Sequence, residues 1–508
     1  YNGVAYAWRN NAGGTALALY KSSSSGWTAV ALGYQLEFNT GTAAISEGQT
    51  VTGAGGATGV VKRVVLESGS WGSGDARGRL IFASVTGTFV LNENLLVSAA
   101  VKAKAGGAQS AITLLPSGRV ETEIANFSGS TSTIRLYGCD GVNPAFEFDG
   151  TTYVPLRTGA SPDAPEHLAA HALHLFLSYG SSVVHSAVGD PYSYQALLGA
   201  GELAVADNVT AFLVQPGSQT SATLAIYTTG NTQMLYGTSL STWNLVSYNN
   251  GVGAKAYTAQ NVEQSYVFED RGVISLAASQ NYGNFDTAAL TLHIRPYTQQ
   301  RRTLATASAI NREKGQYRVF FSDGSALYMT AYNGRVLGFM PIEYPNPVTC
   351  ACGGETADGS ETSFFGSTNG FVYRNDAGTS FDGEDINATL TLVFNAIKSP
   401  RVRKRYRRAS LEVSGSGYSE FTFAYDLGYA TLDIEQNSTY ANALVSTYWD
   451  RATWDNFSFD GRALAPSEVE LKGTAENIAL RIVSASDEYP AFTINSAIVH
   501  YSMRRGLR

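Results

Sequence analysis

A run of basic residues near position 400 is the most concentrated set of reactive groups in this sequence. Its cationic members are Arg401, Arg403, Lys404, Arg405, Arg407 and Arg408. Because alternate residues of a strand lie on one face, an extended run places Arg401, Arg403, Arg405 and Arg407 on one side, and Val402, Lys404, Tyr406 and Arg408 on the other. Such a stripe suits contact with phosphate groups of DNA. The same charges also suit a strand edge that blocks stray pairing, or a contact with acidic groups of a neighbouring subunit.

Three of the six histidines lie close together, at His167, His171 and His174. His167 and His171 have the i, i+4 spacing of two metal ligands on a helix, and the segment 166–173 carries a short helical signal. The HExxH order is absent, however, and the apolar residues after His174 begin a strand. We therefore expect no metal or other cofactor here, and a structural approach to a strand.

Two acidic segments offer further polar groups. The segment 382–385, Asp-Gly-Glu-Asp, lacks the spaced ligands of a calcium loop, and the segment 268–272 places Glu269 and Asp270 beside Arg271. We expect a solvated turn and a local turn network. No P-loop, dinucleotide fingerprint or nucleophile elbow is present. The sequence therefore predicts a protein that is not an enzyme, with no catalytic, cofactor-binding or metal residues.

The elements that must position these groups repeat along the chain. An apolar and aromatic strand, a glycine turn and a second strand recur about every 40 to 50 residues. The turn glycines are Gly14, Gly141, Gly180, Gly230, Gly283, Gly324 and Gly370. This period, without helical periodicity, is typical of β-propeller blades. The long first interval equals one normal step plus an inserted module, which predicts about seven units.

Composition divides the chain into four parts. We predict a first propeller unit at 1–36, an inserted β-module at 37–114, the remaining propeller units at 115–380, and a C-terminal β-domain, resembling a sandwich, at 381–508. The module contains an internal echo between 45–51 and 89–97, and we expect it to project from the ring as insertions in repeat folds do. The expected fold class is all-β.

Composition also limits the function. The 508 residues carry 15% charged side chains and a net charge of −7, which argues against a generally basic surface for nucleic acid. Three cysteines make no disulfide framework and fit a reducing compartment. No apolar run approaches the roughly 20 residues that span a bilayer, so we expect no membrane-spanning segment.

Several segments together resemble structural proteins of tailed phages. The resemblance lies in the residues 48–59, 135–150, 174–178, 473–482 and 498–506. In sequence pattern and general residue character, the chain resembles the tail nozzle family of short-tailed phages, also called tail tubular protein B. The similar segments are distributed over most of the chain, without one diagnostic motif.

This resemblance implies a virion protein of the viral tail: a propeller-containing homo-oligomer, typically a hexamer, that forms a ring below the portal. Its partners would be the head-to-tail adaptor, tail fibres or spikes, and genomic DNA that passes through the lumen during DNA ejection without sequence specificity. The protein would be assembled in the host bacterial cytoplasm, and its family has no catalytic residues to transfer. Two alternatives stay open: a glycan-binding or glycan-cleaving β-propeller receptor-binding protein, and a propeller that serves as a protein-interaction platform.

Overall fold

The computed structural model describes residues 1–215, 223–276, 289–356, 358–415, 419–430, 440–444, 465–486, 488 and 490–506. The chain divides into two compact units, Tyr1–Asn375 and Asp376–Arg508. The first unit contains a series of small antiparallel sheets and a barrel, and the second contains two larger sheets.

The first unit begins with a three-stranded sheet, blade 1, which a barrel follows in the chain. Blade 1 contains β1 (Tyr6–Asn10), β2 (Leu17–Ser23) and β3 (Gly26–Ala29). The barrel contains β4 (Tyr34–Gly41), β5 (Thr50–Gly53), β6 (Thr58–Ser68), β7 (Ala76–Thr86), β8 (Asn94–Val97), β9 (Ala100–Ala105) and β10 (Ser110–Ala111). Pairing runs β4–β7–β6–β5–β8–β9 and returns from β9 to β4. The inserted β-module is therefore a closed barrel of six strands, with β10 as a short addition.

The sequence echo inside the module corresponds to a structural repeat. In the first copy, the Gly48 amide donates to the Val61 carbonyl and the Val61 amide donates to the Gln49 carbonyl. In the second copy the equivalent bonds join Asn92, Ala105 and Glu93. Both turns need a positive φ, 84° at Gly48 and 65° at Asn92. The barrel thus contains two copies of one strand–turn–hairpin unit, β4–β6 and β7–β9.

Six further antiparallel sheets, blades 2 to 7, follow in the described residues of this unit. Blade 2 contains β11 (Glu121–Ala125), β12 (Arg135–Cys139), β13 (Phe146–Phe148) and β14 (Tyr153–Pro155); blade 3 contains β15 (Leu168–His171), β16 (His174–Tyr179), β17 (Ser182–His185) and β18 (Gly201–Ala204); blade 4 contains β19 (Val209–Val214), β20 (Leu224–Thr228), β21 (Asn231–Tyr236) and β22 (Asn244–Asn250). Blade 5 contains β23 (Gln260–Val262), β24 (Gln264–Glu269) and β25 (Gly272–Ser275); blade 6 contains β26 (Ala305–Asn311), β27 (Gln316–Phe321), β28 (Ser325–Tyr332) and β29 (Arg335–Glu343); blade 7 contains β30 (Val348–Glu355), β31 (Glu361–Ser367) and β32 (Val372–Asn375).

The sequence repeat corresponds to these blades, because its copies fall on neighbouring strands of successive sheets. In blade 6, for example, β27 and β28 meet at Gly324, whose φ of 86° suits glycine. First strands of successive blades pack together, as β11 does with β15 and β26 does with β30. Gly283 lies outside the described residues. The predicted β-propeller of about seven units is confirmed.

The barrel packs closely against blades 1 and 2, although we expected it to project from the ring. Val65 of β6 and Ile81 of β7 share a buried cluster with Leu19 of β2 and with Phe148 of blade 2. Their faces are apolar on both sides of the contact, so burial favours docking over projection.

The second unit is a β-sandwich. One sheet has the order β33 (Ile386–Thr391), β39 (Ile478–Ser486), β35 (Ser419–Leu427) and β36 (Tyr440–Leu444). In the other, β34 (Val402–Gly415) pairs with β37 (Ala465–Glu470) and β38 (Thr474–Ala475) on one side and with β40 (Phe492–Gly506) on the other. Leu411, Phe423 and Ile482 belong to one core that both sheets share. The predicted sandwich-like fold is confirmed.

Helix is scarce in the described part of the chain. It consists of α1 (Arg295–Gln300) and the 3-10 turns Thr131–Thr133, Ala196–Leu198, Leu292–Ile294 and Gly428–Ala430. The helical signal over 166–173 is wrong, because β15 and β16 form a hairpin there. Its turn residues, Ala172 and Leu173, have φ values of 48° and 62°, as a tight hairpin turn requires. No helix in these ranges is long and apolar enough to cross a membrane.

Candidate functional site

The basic run lies on β34, and most of its arginines reach solvent. The exposed residues are Arg401, Arg403, Arg405, Arg407 and Arg408. β34 has neighbours on both sides, since Arg405 pairs with Thr474 of β38 and with Ser502 of β40. The charges therefore do not protect an open sheet edge, and the contact interpretations remain.

The prediction that Arg408 shares a face with Lys404 and Tyr406 is wrong. The register of β34 against β40 shifts between Tyr406 and Arg408, as in a β-bulge, which adds a residue to one strand. After this shift Arg407 and Arg408 are both exposed, whereas Tyr406 is 1% exposed and packs in the core. The irregularity therefore adds Arg408 to the outer face.

Lys404 does not belong to the exposed set. It is completely buried, and its Nζ donates to the carbonyls of Ser399, Val402 and Glu476 at 2.7, 3.0 and 2.8 Å. Burial lowers the pKa of this ammonium, while the Glu476 carboxylate acts in the opposite direction. Its three donors are used inside the sandwich, so Lys404 is unavailable to DNA or to another subunit.

Replacing Lys404 by Met is expected to destabilise the sandwich by about 1 to 3 kcal/mol, because buried carbonyls lose their donor. The measurement is the urea midpoint of the full chain. Lys472→Met is the matched control, since that side chain is 68% exposed and reaches Glu470 only at 4.0 Å. Equal midpoints for both variants would contradict a structural role for Lys404.

Carboxylates hold two of the exposed arginines. Arg403 Nε lies 3.1 Å from Glu476 Oε1, and Arg408 Nη1 lies 3.2 Å from Glu468 Oε2. The hydrogen bond from Arg403 is the main reason why the pKa of Glu476 is lowered. Within the described ranges, Arg401, Arg405 and Arg407 have no such partner. An open groove of about 660 Å³ beside them is lined by Arg407, Arg408, Glu468, Val469, Glu470, His500 and Tyr501.

A second polar cluster lies near the centre of the propeller. Arg119, which precedes blade 2, donates from Nη1 to the carbonyls of Thr349 in blade 7, at 2.6 Å, and Thr306 in blade 6, at 3.5 Å. Its guanidinium carbon also lies 4.5 Å from the ring centre of Tyr257, which precedes blade 5. Only near the propeller axis can one side chain touch blades so far apart.

Residues of blades 2 and 3 complete this axial cluster. His167 Nδ1 lies 2.7 Å from Glu121 Oε2, and the His167 ring centre lies 5.2 Å from that of Tyr257. Tyr257 has a φ of 62°, an uncommon value for a bulky residue, and burial raises its pKa to about 12. The Glu123 carboxylate accepts the Ala170 amide at 2.8 Å.

The axial carboxylates are engaged within the protein. Glu121 faces His167, and Glu123 accepts the Ala170 amide. Burial raises the pKa of Glu123 to about 7, against the lowering effect of its backbone hydrogen bond. Sequence reasoning missed Arg119, Glu123 and Tyr257; only the turn segment 116–118 marks the position of Arg119, and it gives no partner.

The three clustered histidines do not form one site. His167 belongs to the axial cluster, whereas His171 and His174 pair across their hairpin turn and pack, with His185, around Trp243. Trp243 Nε1 donates to His185 Nε2 at 3.2 Å. Burial, followed by the His174 charge, lowers the pKa of His171 to about 4. A buried position among aromatic rings accounts for this group.

The two acidic segments form turns. Phe381 and Glu384 bridge a tight turn with an exposed surface. At the other, Glu269 accepts the Arg271 amide at 3.0 Å, and Asp270 pairs with Lys255 at 2.6 Å. Among the described residues no three His, Cys, Asp or Glu side chains are placed to hold a metal ion.

The observed architecture is a β-propeller with a docked barrel, joined in the chain to a β-sandwich. No family model and no curated protein matches this chain. Among solved structures, BBS1N in complex with ARL6DN, soaked with mercury, is similar at 14% identity over 50% of this chain and 77% of that chain, with a TM-score of 0.36. The Mitotic Checkpoint Complex matches at 15% identity over 56% of this chain and 86% of that chain, with a TM-score of 0.33. The fold assignment therefore rests on strand pairing.

Proposed function

We propose that this chain is a non-enzymatic structural subunit of a phage tail, a nozzle-like ring protein around the DNA exit channel. In this proposal copies of the chain form a closed homo-oligomer, hexameric as the sequence resemblance implies. The ring contacts the head-to-tail adaptor on one side and fibres or spikes on the other. Its location is the virion tail, after assembly in the bacterial cytoplasm.

Side-chain contacts across the propeller axis are the observation that carries this proposal. Arg119 and Tyr257 meet at the axis, with Thr349 of blade 7 bonded to Arg119. A propeller that binds a ligand at its axis needs open space there, because ligand sites are concave. Because these contacts cross the axis and the described residues hold no metal cluster, this propeller suits a structural building block.

The same observation defines where DNA would travel. The opening beside Arg119 is bridged at hydrogen-bond distance, whereas the major groove of a duplex alone is about 12 Å wide. A channel for DNA would therefore lie between subunits of the ring and not inside one propeller. Docking of the barrel by buried contacts supports a rigid wall for such a channel.

Imaging the purified full chain and an intact virion by electron cryomicroscopy tests this proposal. The expected result is a closed ring, located below the head, with its channel between subunits. A chain that remains monomeric at high concentration and degrades bacterial surface polysaccharide would overturn it in favour of a glycan-cleaving propeller.

A further inference from the structure

The outer face of β34 carries a row of guanidinium groups, and these outnumber the carboxylates that pair with them. This arginine face consists of Arg401, Arg403, Arg405, Arg407 and Arg408 on or beside β34, with Arg504 on the neighbouring β40. Glu476 and Glu468 pair with Arg403 and Arg408. In the described part of the chain, the other members have no acidic partner. The face is thus cationic on a protein whose net charge is −7.

The spacing of the arginine face suits a linear polyanion. Arg403, Arg405 and Arg407 are alternate strand residues, which stand about 6.6 to 6.8 Å apart. The DNA backbone winds around the helix axis while it rises about 3.4 Å per nucleotide. The direct separation of neighbouring phosphates is therefore roughly twice that rise, and alternate arginines match successive phosphates of one strand. The register shift at Tyr406 brings Arg408 to the same face and extends the row.

The residue types suit phosphate, which the arginine fork binds as well as it binds carboxylate. Every exposed member is arginine, whose planar fork binds phosphate through two parallel hydrogen bonds, while the lysine of the run is buried. The strand neighbours of Arg405 are Thr474 and Ser502. These two neighbours are small and polar, whereas protein interfaces place aromatic and apolar anchors at their centres.

We infer that the arginine face binds the phosphate backbone of duplex DNA without reading its sequence. The inference deepens the proposed function and rests on it for the source of the DNA, the genome that passes the ring. Contacts of this kind release counterions, so they weaken steeply as salt rises and leave the DNA free to move.

The test is fluorescence anisotropy of a labelled duplex with the full chain at several salt concentrations between about 50 and 200 mM. The Arg405→Gln/Arg407→Gln variant should bind about tenfold more weakly at low salt. Its slope of log affinity against log salt should fall by about 2, because each phosphate contact contributes about 0.9. Arg481→Gln is the matched control, since Arg481 is exposed on the other sheet of the sandwich, and it should leave both quantities unchanged.

Three outcomes would overturn the inference. The wild-type chain fails to bind the duplex at low salt, or the double variant and Arg481→Gln lose affinity equally, or the double variant loses self-association while its salt slope is unchanged. The last result would assign the face to a subunit contact. If the chain forms rings but does not bind DNA, this inference is rejected and the proposed function stands. If the chain stays monomeric but binds DNA in a salt-dependent way, the inference stands and the proposed function is rejected.

Discussion

Replacing Arg63 by Met is expected to lower the free energy of unfolding of the Tyr1–Asn375 unit by about 3 to 5 kcal/mol, because removing one partner of a buried ion pair leaves the other charge without compensation. Arg63, on β6 of the barrel, donates from Nη2 to Asp149 at 3.0 Å and from Nη1 to Glu47 at 2.9 Å. Its Nη2 also forms an ion pair with Glu147 Oε1 at 3.0 Å.

The large effect follows from where the carboxylates lie. The Glu147 side chain is 4% exposed, and besides Arg63 it faces the hydroxyls of Tyr137 and Tyr192 at 3.2 and 2.5 Å. Burial alone would lower the pKa of Arg63, but Glu147, Asp149 and other nearby groups raise it overall, so the guanidinium stays charged. Without it, the buried Glu147 keeps only the longer ion pair with Arg135 Nε at 3.6 Å, so most of the compensation for its charge is lost.

Glu47→Gln is the matched control for this prediction. The Glu47 side chain is 50% exposed, and exposed ion pairs contribute at most about 1 kcal/mol. Calorimetry and urea unfolding of both variants measure the difference. Similar losses from Arg63→Met and Glu47→Gln would show that the buried network does not hold the barrel against the propeller.

The sequence predicts the β-architecture well because local patterns determine it. Each blade is built from hairpins between residues close in the chain, and turn glycines such as Gly324 mark them. The barrel echo is visible for the same reason, since Gly48 and Asn92 occupy equivalent turns. Spacing alone fails at 166–173, where histidines four apart indicate a helix but the turn at Ala172 and Leu173 makes a hairpin.

Long-range contacts explain most of what the sequence does not predict. Arg119 and Thr349 are 230 residues apart, and Arg63 and Asp149 are 86 apart, so no local spacing relates either pair. Alternation correctly places Arg403 and Arg405 on one face. It fails at Arg408, because a register shift depends on the neighbouring strand β40. The burial of Lys404 similarly depends on carbonyls that include that of Glu476, 72 residues away.

Replacing Glu123 by Gln is expected to stabilise the propeller by about 3 kcal/mol at about pH 8 and to have almost no effect at about pH 4, since each pKa unit corresponds to about 1.4 kcal/mol. Burial raises the pKa of Glu123 from 4.5 to about 7. In the folded chain this carboxyl keeps a proton that the unfolded chain has lost, so its favourable contribution is complete below pH 4.5 and is lost as pH rises through about 7. Glutamine removes the buried charge and can still accept the Ala170 amide.

Comparing the urea midpoints of the variant and the wild type at each pH separates the effect of Glu123 from that of groups whose pKa shifts change stability in the opposite direction. The pKa of His171, lowered from 6.5 to about 4 by burial and by His174, makes the wild-type protein less stable as pH falls through that window. Both proteins share this loss, so it cancels in the difference between their urea midpoints. Glu202→Gln serves as control, because Glu202 is exposed on β18, and its difference should stay near zero at every pH. A flat difference for Glu123→Gln as well would mean that water reaches the Glu123 carboxylate freely and that the propeller axis is more open than its side-chain contacts indicate.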